Sequence, residues 1–150
     1  MDERPEVLIL DLGSQYTKVI GRTLREIGYR SIISSSAKAV QRLESWKPKG
    51  IILSGGSASV DDADAPQPPE GILNLNVPIL GICYGMQWMA QKLGGVITRE
   101  VGKKEYGSAK INLFMDDPLF SGLPSEGVDG IRTVWASHGD SVSVVPDGFK

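Results

Sequence analysis

The chain has 150 residues, enough for one domain with a full-sized core, and its 41% hydrophobic and 23% charged residues suit an ordinary soluble globular protein. A formal net charge of −2 leaves no electrostatic footprint for nucleic acid or an anionic membrane, and no apolar run approaches a bilayer span. The single cysteine excludes an internal disulfide, and no secretory or transit segment precedes "PEVLIL", so a cytosolic location is expected.

The first half alternates short apolar runs with amphipathic stretches, the pattern of β-α-β units on a parallel sheet. "VLIL" (7–10) is apolar throughout, as a central strand covered on both faces should be. After "DLGS", Tyr16, Val19, Ile20, Leu24 and Ile27 recur at helical spacing, and Gly28 stands where a helix end wants a left-handed residue. "SIIS" (31–34) predicts a second strand. Ser36 is a candidate cap for a helix carrying Val40, Leu43 and Trp46, which Pro48 closes. "GIILS" (50–54) and "VPILGI" (77–82) predict a third and fourth strand. Met86, Met89, Ala90 and Leu93 then form a helical stripe ending at Gly94-Gly95.

Beyond residue 95, "GVIT", "AKINLF" and "TVWAS" read as strands without long helices between them, which predicts hairpins or antiparallel additions. There is no internal repeat and no low-complexity tract. The long irregular connection "SASVDDADAPQPPEG" (57–71) is of a length that is often functional in a compact domain.

The chemistry centres on "VPILGICYGMQ" (77–87). G-x-C-x-G after a buried strand and before a helix matches a nucleophile elbow, where the chain turns so sharply that only glycine fits two residues to either side. Such a turn presents the Cys83 sulfur beyond the carboxyl end of the sheet, where open α/β folds bind ligands. It also sets the thiol at a helix N-terminus, whose unpaired N–H groups and macrodipole favour the reactive thiolate. The N–H of Tyr84 would point into an oxyanion hole. The alternative is a buried structural cysteine, as most lone cysteines are. Strand, elbow and helix in register favour the nucleophile.

"GICYGMQ" resembles the G-x-C-x-G-x-Q motif of class I (triad type) glutamine amidotransferases. "LILDLGSQYTKVIGRTLRE", "ILSGGSASV", "KEYG", "LFSGLP" and "VWASHGDSV" narrow the resemblance to the amidotransferase domain of the GMP synthase type, over residues 6 to 149. It implies an α/β fold of three layers, flavodoxin-like, with a mostly parallel sheet, helices on both faces, and antiparallel strands added in the C-terminal third. Cys83 then corresponds to the nucleophile that attacks the glutamine side-chain amide and forms a γ-glutamyl thioester. Gly56 and Tyr84 correspond to the two backbone donors of the oxyanion hole, and Gln87 to a contact with bound glutamine. Ser137, His138, Gly139 and Asp140 correspond to the loop that holds the amino-acid end of glutamine, where Asp140 suits the ammonium. One position departs: Ser57 stands where the family places proline after S-G-G, and serine neither fixes φ nor removes a donor.

A cysteine nucleophile needs a base within hydrogen-bond reach, oriented by a third group. His138, the sole histidine, followed by Asp140, superficially supplies both, but their spacing gives neither a reason to reach residue 83. In the family the base lies on a later H-P-E motif, which these 150 residues do not contain. The resemblance therefore implies one amidotransferase domain over residues 1–150, truncated before its His-x-Glu motif and inactive by itself.

The partners implied are glutamine and an ATP-pyrophosphatase (synthetase) domain or subunit, with no nucleic acid and no membrane. The domain itself is expected to use no cofactor or metal, ATP and Mg belonging to the synthetase. "DDAD" (61–64) lacks the glycine and terminal glutamate of a calcium loop and reads as a solvated acidic loop. "LSGGSAS" has no P-loop lysine, and no G-x-G-x-x-G follows the first strand, so nucleotide binding is not expected here. Trp46, Trp88 and Trp135 sit in apolar patterns and are expected in the core, while "RTLRE" and "KK" read as solvated charge. The rival functions are a non-catalytic or regulatory module that keeps the elbow, and the amidotransferase component of another synthetase.

Overall fold

The computed structural model describes residues 4–99, 105–123 and 130–150. The chain divides into two compact units, residues 1–98 with 142–150, and residues 99–141.

In the first unit, strands β1 (Val7–Leu10), β2 (Ser31–Ser34), β3 (Gly50–Leu53) and β4 (Ile79–Gly81) form one parallel sheet in the order β2-β1-β3-β4. Helices α1 (Thr17–Glu26) and α2 (Ser36–Ser45) follow β1 and β2, and α3 (Tyr84–Lys92) follows β4. Side chains alternate across each strand, so Leu8, Leu10, Ile51 and Leu53 share one face. Each is at most 1% exposed, and they pack with Ala39 of α2, Ile72, and Tyr84 and Trp88 of α3. Full burial of each such aliphatic side chain contributes about 1.5–3 kcal/mol. β4 is shorter than "VPILGI" suggests. The Pro78 carbonyl still accepts from Ile51 N–H at 2.9 Å, but proline has no N–H to extend the ladder.

The helices lie where the periodicity places them; Leu43, Trp46, Met89 and Ala90 of the expected stripes turn inward, but the most buried contacts fall on neighbouring residues. In α1 the buried residues are Thr17 and Gly21, while Tyr16, Val19 and Ile27 are exposed and Ile20 and Leu24 half-buried. Close approach explains this: a side-chain carbon placed on Gly21 would lie 3.4 Å from the Cδ1 atoms of both Ile9 and Ile33. Gly28 ends the helix at φ +93 as expected, and Tyr29 N–H bonds back to Leu24 O at 2.8 Å. In α2 the N-cap position is Ser35, not Ser36, and Ala39 makes the buried contact while Val40, turned about 100° around the axis, is exposed. In α3 the buried set is Tyr84, Gly85, Gln87, Trp88 and Ala90; Met86 and Leu93 face outward.

The long connection 57–71 is anchored rather than free. Tyr84 Oη donates to Pro66 O at 2.6 Å, Trp88 Nε1 to Gln67 Oε1 at 3.0 Å, and Gln91 Nε2 to Asp61 Oδ1 at 3.0 Å. Asp62 Oδ2 accepts from Ser59 N–H at 2.8 Å, so Asp61 and Asp62 order the loop. After α3 comes β5 (Val96–Arg99), which pairs with β8 (Asp140–Val144); Thr98 Oγ1 donates to Ser143 Oγ at 2.7 Å.

In the second unit, β6 (Glu105–Asn112) and β7 (Ile131–His138) pair antiparallel from Glu105↔His138 to Asn112↔Ile131. β6 begins four residues before "AKINLF" and stops short of its Leu113 and Phe114, whereas β7 outruns "TVWAS" at both ends. Trp135 is 81% exposed, against the expectation of a core position. Its neighbour Ala136 is buried, and in a strand adjacent side chains point to opposite faces. Trp88 is buried and Trp46 half-buried against the main core, as expected. Arg22 and Glu26 of "RTLRE" form an exposed ion pair at 3.7 Å; "KK" (103–104) lies outside the described residues. Among the described residues no helix is long and apolar enough to cross a membrane.

Candidate active site

Cys83 sits between β4 and α3 with φ +48 and ψ −113, a backbone conformation that an L-residue adopts only under constraint. The constraint is visible on both sides. A side-chain carbon on Gly81 would lie 2.6 Å from Met86 Cα, and one on Gly85 would lie 2.5 Å from Leu53 O. Neither position accepts even alanine without displacing backbone. The two glycines let the chain fold back on itself, and the Cys83 side chain is left exposed at the carboxyl end of the parallel sheet. This is the strained strand-to-helix turn of a nucleophile elbow.

The turn after β3 comes alongside. A side-chain carbon on Gly55 would lie 3.5 Å from Cys83 Cβ, and one on Gly56 would lie 3.6 Å from Tyr84 Cβ and collide with the Leu12 carbonyl. Gly56 thus has to be glycine for its backbone to approach both the β1 exit and the elbow. Among the described residues nothing accepts a hydrogen bond from Gly56 N–H. Tyr84 N–H opens α3, where first-turn donors have no intrahelical acceptor. Cys83 and Tyr84 are therefore brought against the Gly55-Gly56 turn.

The Tyr84 side chain points the other way. It is 1% exposed, and burial, reinforced by Asp62, pushes its hydroxyl above the ordinary tyrosine pKa. It anchors the elbow to Pro66. Gln87 is 5% exposed on the inward side of α3, its N–H bonded to Cys83 O at 2.9 Å. The residue anticipated as a glutamine contact is thus a buried side chain one helical turn beyond Cys83.

Ser137, His138, Gly139 and Asp140 belong to the second unit. Ser137 and His138 end β7 opposite Tyr106 and Glu105, and Asp140 begins β8 after the Gly139 link. Ser57, in the family's proline position, is exposed just past the turn.

One residue of the site had no role assigned by its sequence. Ser54, 0% exposed, accepts from Leu12 N–H at 2.9 Å through its hydroxyl and donates to Gly55 O at 3.0 Å. Its backbone carbonyl accepts from Gly85 N–H at 3.1 Å. The available signal was a hydroxyl directly after an apolar, fully covered strand, where a buried polar group must find partners.

Residues 8–150 match the family described as glutamine amidotransferase class-I. Curated relatives include the glutamine-hydrolysing GMP synthase of Prochlorococcus marinus (strain MIT 9312), 46% identical over 97% of this chain and 27% of that protein. That of Thermobifida fusca (strain YX) is 50% identical over 95% of this chain and 26% of that protein. The chain therefore spans about a quarter of the length of these relatives. Among solved structures, a GMP synthase subunit from Thermoplasma acidophilum matches at TM-score 0.73 and 28% identity, over 99% of this chain and 72% of its own. A glutamine amidotransferase from Thermotoga maritima shares the fold at TM-score 0.65 and 22% identity, over 93% of this chain and 62% of its own. With the elbow in place and the match running from the first strand to Lys150, the chain belongs to the class I glutamine amidotransferase family.

Proposed function

We propose that this chain is the glutamine-hydrolysing part of a GMP synthase, and that Cys83 is its nucleophile. The observation that carries this is the strained Cys83 backbone, held by Gly81 and Gly85 directly beside the Gly55-Gly56 turn. The sulfur adds to the side-chain carboxamide carbon of glutamine, and the oxygen that gains charge is met by Gly56 N–H and Tyr84 N–H. The C–N bond breaks, the proton given up by the thiol leaves with the nitrogen as ammonia, and a γ-glutamyl thioester remains. Water then releases glutamate and restores the thiol. Gln87, one turn along α3 from Cys83, serves glutamine binding.

The acid–base pair of such a domain lies on an H-P-E motif that residues 1–150 do not contain, so these residues carry one of the three triad members. Ammonia passes to an ATP-pyrophosphatase domain or subunit that aminates XMP to GMP. ATP and Mg act there, and thioester chemistry at Cys83 draws on no cofactor. The site works in the cytoplasm. Docking of the synthetase near the mouth of the Cys83 site would keep ammonia from water.

Glutamate release from glutamine tests this reading, with circular dichroism confirming that each variant is folded. The 150-residue chain is expected to be silent. The chain continued through an H-P-E segment is expected to turn over, and Cys83→Ala to abolish that turnover by at least about a thousandfold. Turnover by the 150 residues alone would make His138 the base. A folded, continued chain without Cys83-dependent turnover would leave the non-catalytic module as the better description.

A further inference from the structure

The peptide joining Gly55 to Gly56 is trans and planar, so its carbonyl and its N–H point in opposite directions. Whatever holds Gly55 O therefore sets where Gly56 N–H aims. The holder is the Ser54 hydroxyl, at 3.0 Å from Gly55 O. That hydroxyl is itself fixed by the Leu12 N–H it accepts at 2.9 Å, so its own proton is committed to Gly55 O. The backbone carbonyl of Ser54 meanwhile receives Gly85 N–H at 3.1 Å, tying the same residue to the elbow behind Cys83. Ser54 thus joins the β1 exit, the Gly55-Gly56 turn and the nucleophile turn, at a position 0% exposed. No proline restrains the turn, because Ser57 occupies that place.

We propose that Ser54 is a positioning residue for oxyanion stabilisation: by holding the Gly55 carbonyl, its hydroxyl aims Gly56 N–H at the acyl oxygen forming over Cys83. The proposal rests on the amidotransferase reading of Cys83 and Gly56.

Its test compares two reactions of the one thiol. With p-nitrophenyl acetate, the Cys83 sulfur adds to the ester carbonyl and the C–O bond breaks. The p-nitrophenolate leaves with the electron pair and the thiol proton goes to solvent, so no protein acid is required. This step forms an oxyanion. With iodoacetamide the sulfur displaces iodide at a saturated carbon, and no oxyanion forms. Cys83 is the sole cysteine, so both rates report one site, and Cys83→Ala supplies the blank.

The acylation-to-alkylation ratio of the parent chain is expected to exceed that of N-acetylcysteine. Ser54→Ala should lower the ratio on the order of ten- to a hundredfold while alkylation stays within about twofold. A folded Ser54→Ala that keeps the parental ratio overturns the proposal alone. A parental ratio equal to that of the free thiol overturns the oxyanion assignment, and the proposal with it. Should Ser54→Ala fail to fold, Ser54→Thr and Ser54→Val, isosteric with each other, isolate the hydroxyl: the ratio must survive in the first and fall in the second. Equal ratios in that pair overturn the proposal.

Discussion

At Gly85 a single methyl group decides whether the elbow can form. An added Cβ lies 2.5 Å from the Leu53 carbonyl and 2.7 Å from Leu53 Cβ, both in a strand that is itself buried and cannot yield. Gly85→Ala is therefore expected to destabilise the fold by about 2–4 kcal/mol, read as a shift of the urea midpoint at unchanged m-value. Gly13, with open space around its Cα, gives the contrast: its φ of +99 carries a conformational cost but no collision. The Cys83 strain and the two glycines that permit it were legible in G-x-C-x-G, because an elbow is a local turn. The Ser54 clamp was not legible, because its partner Leu12 lies 42 residues away.

At the scale of elements, α3 and the 57–71 connection act as one piece. Tyr84 and Trp88 hold that connection through Pro66 and Gln67, and their rings fill the core beneath it. Tyr84→Phe keeps the ring but leaves the Pro66 carbonyl without its donor. We expect a loss of about 1 kcal/mol and faster amide exchange across residues 59–67, measured by hydrogen–deuterium exchange. Because the folded tyrosine pKa is raised, its stabilisation is complete below the ordinary tyrosine value and is lost as pH climbs through the folded one. The alkaline drop in melting temperature should accordingly be shallower in Tyr84→Phe. Helix positions were readable from period and punctuation, whereas helix rotation was not. Rotation follows from which residue approaches the sheet most closely, and at Gly21 and Ala39 that residue is small rather than the most apolar.

Across the first unit, the two ends of the sheet differ in character. Cys83 lies at the carboxyl end. At the opposite end Arg30, Glu6 and Lys49 immediately precede β2, β1 and β3, so a row of alternating charge crosses the sheet edge. Glu6 pairs with Lys49 at 2.8 Å and with Arg30 at 3.8 Å, at the rim of a cavity of about 280 Å³ that Trp46 and Lys47 also line. The Lys49 hydrogen bond, then the Arg30 backbone N–H, hold the Glu6 carboxyl below its ordinary pKa. Its contribution is present above that ordinary value and is lost as pH falls through the depressed one. Glu6→Gln should thus lower the melting temperature at pH 7 by a margin that shrinks as the pH falls through the acid range, which a series of thermal scans resolves.

The two tryptophans of opposite burial provide a second check. Trp88→Ala is expected to cost about 3–5 kcal/mol and Trp135→Ala less than about 0.5 kcal/mol. Acrylamide should quench the Trp135 fluorescence far more readily than that of Trp88.

By itself the sequence determined what short-range order carries: four apolar strand cores, three helix locations, a cysteine on a sharp turn, and the motifs that led to the family. These depend on neighbours within a turn or a strand, where residue type and spacing act directly. Only the tertiary structure decided which face of each helix turns inward, that Trp135 faces outward beside a buried Ala136, and that Ser54 holds the turn opposite Cys83. Each of those depends on how closely two backbones remote in sequence can approach, and periodicity along the chain holds no record of that distance.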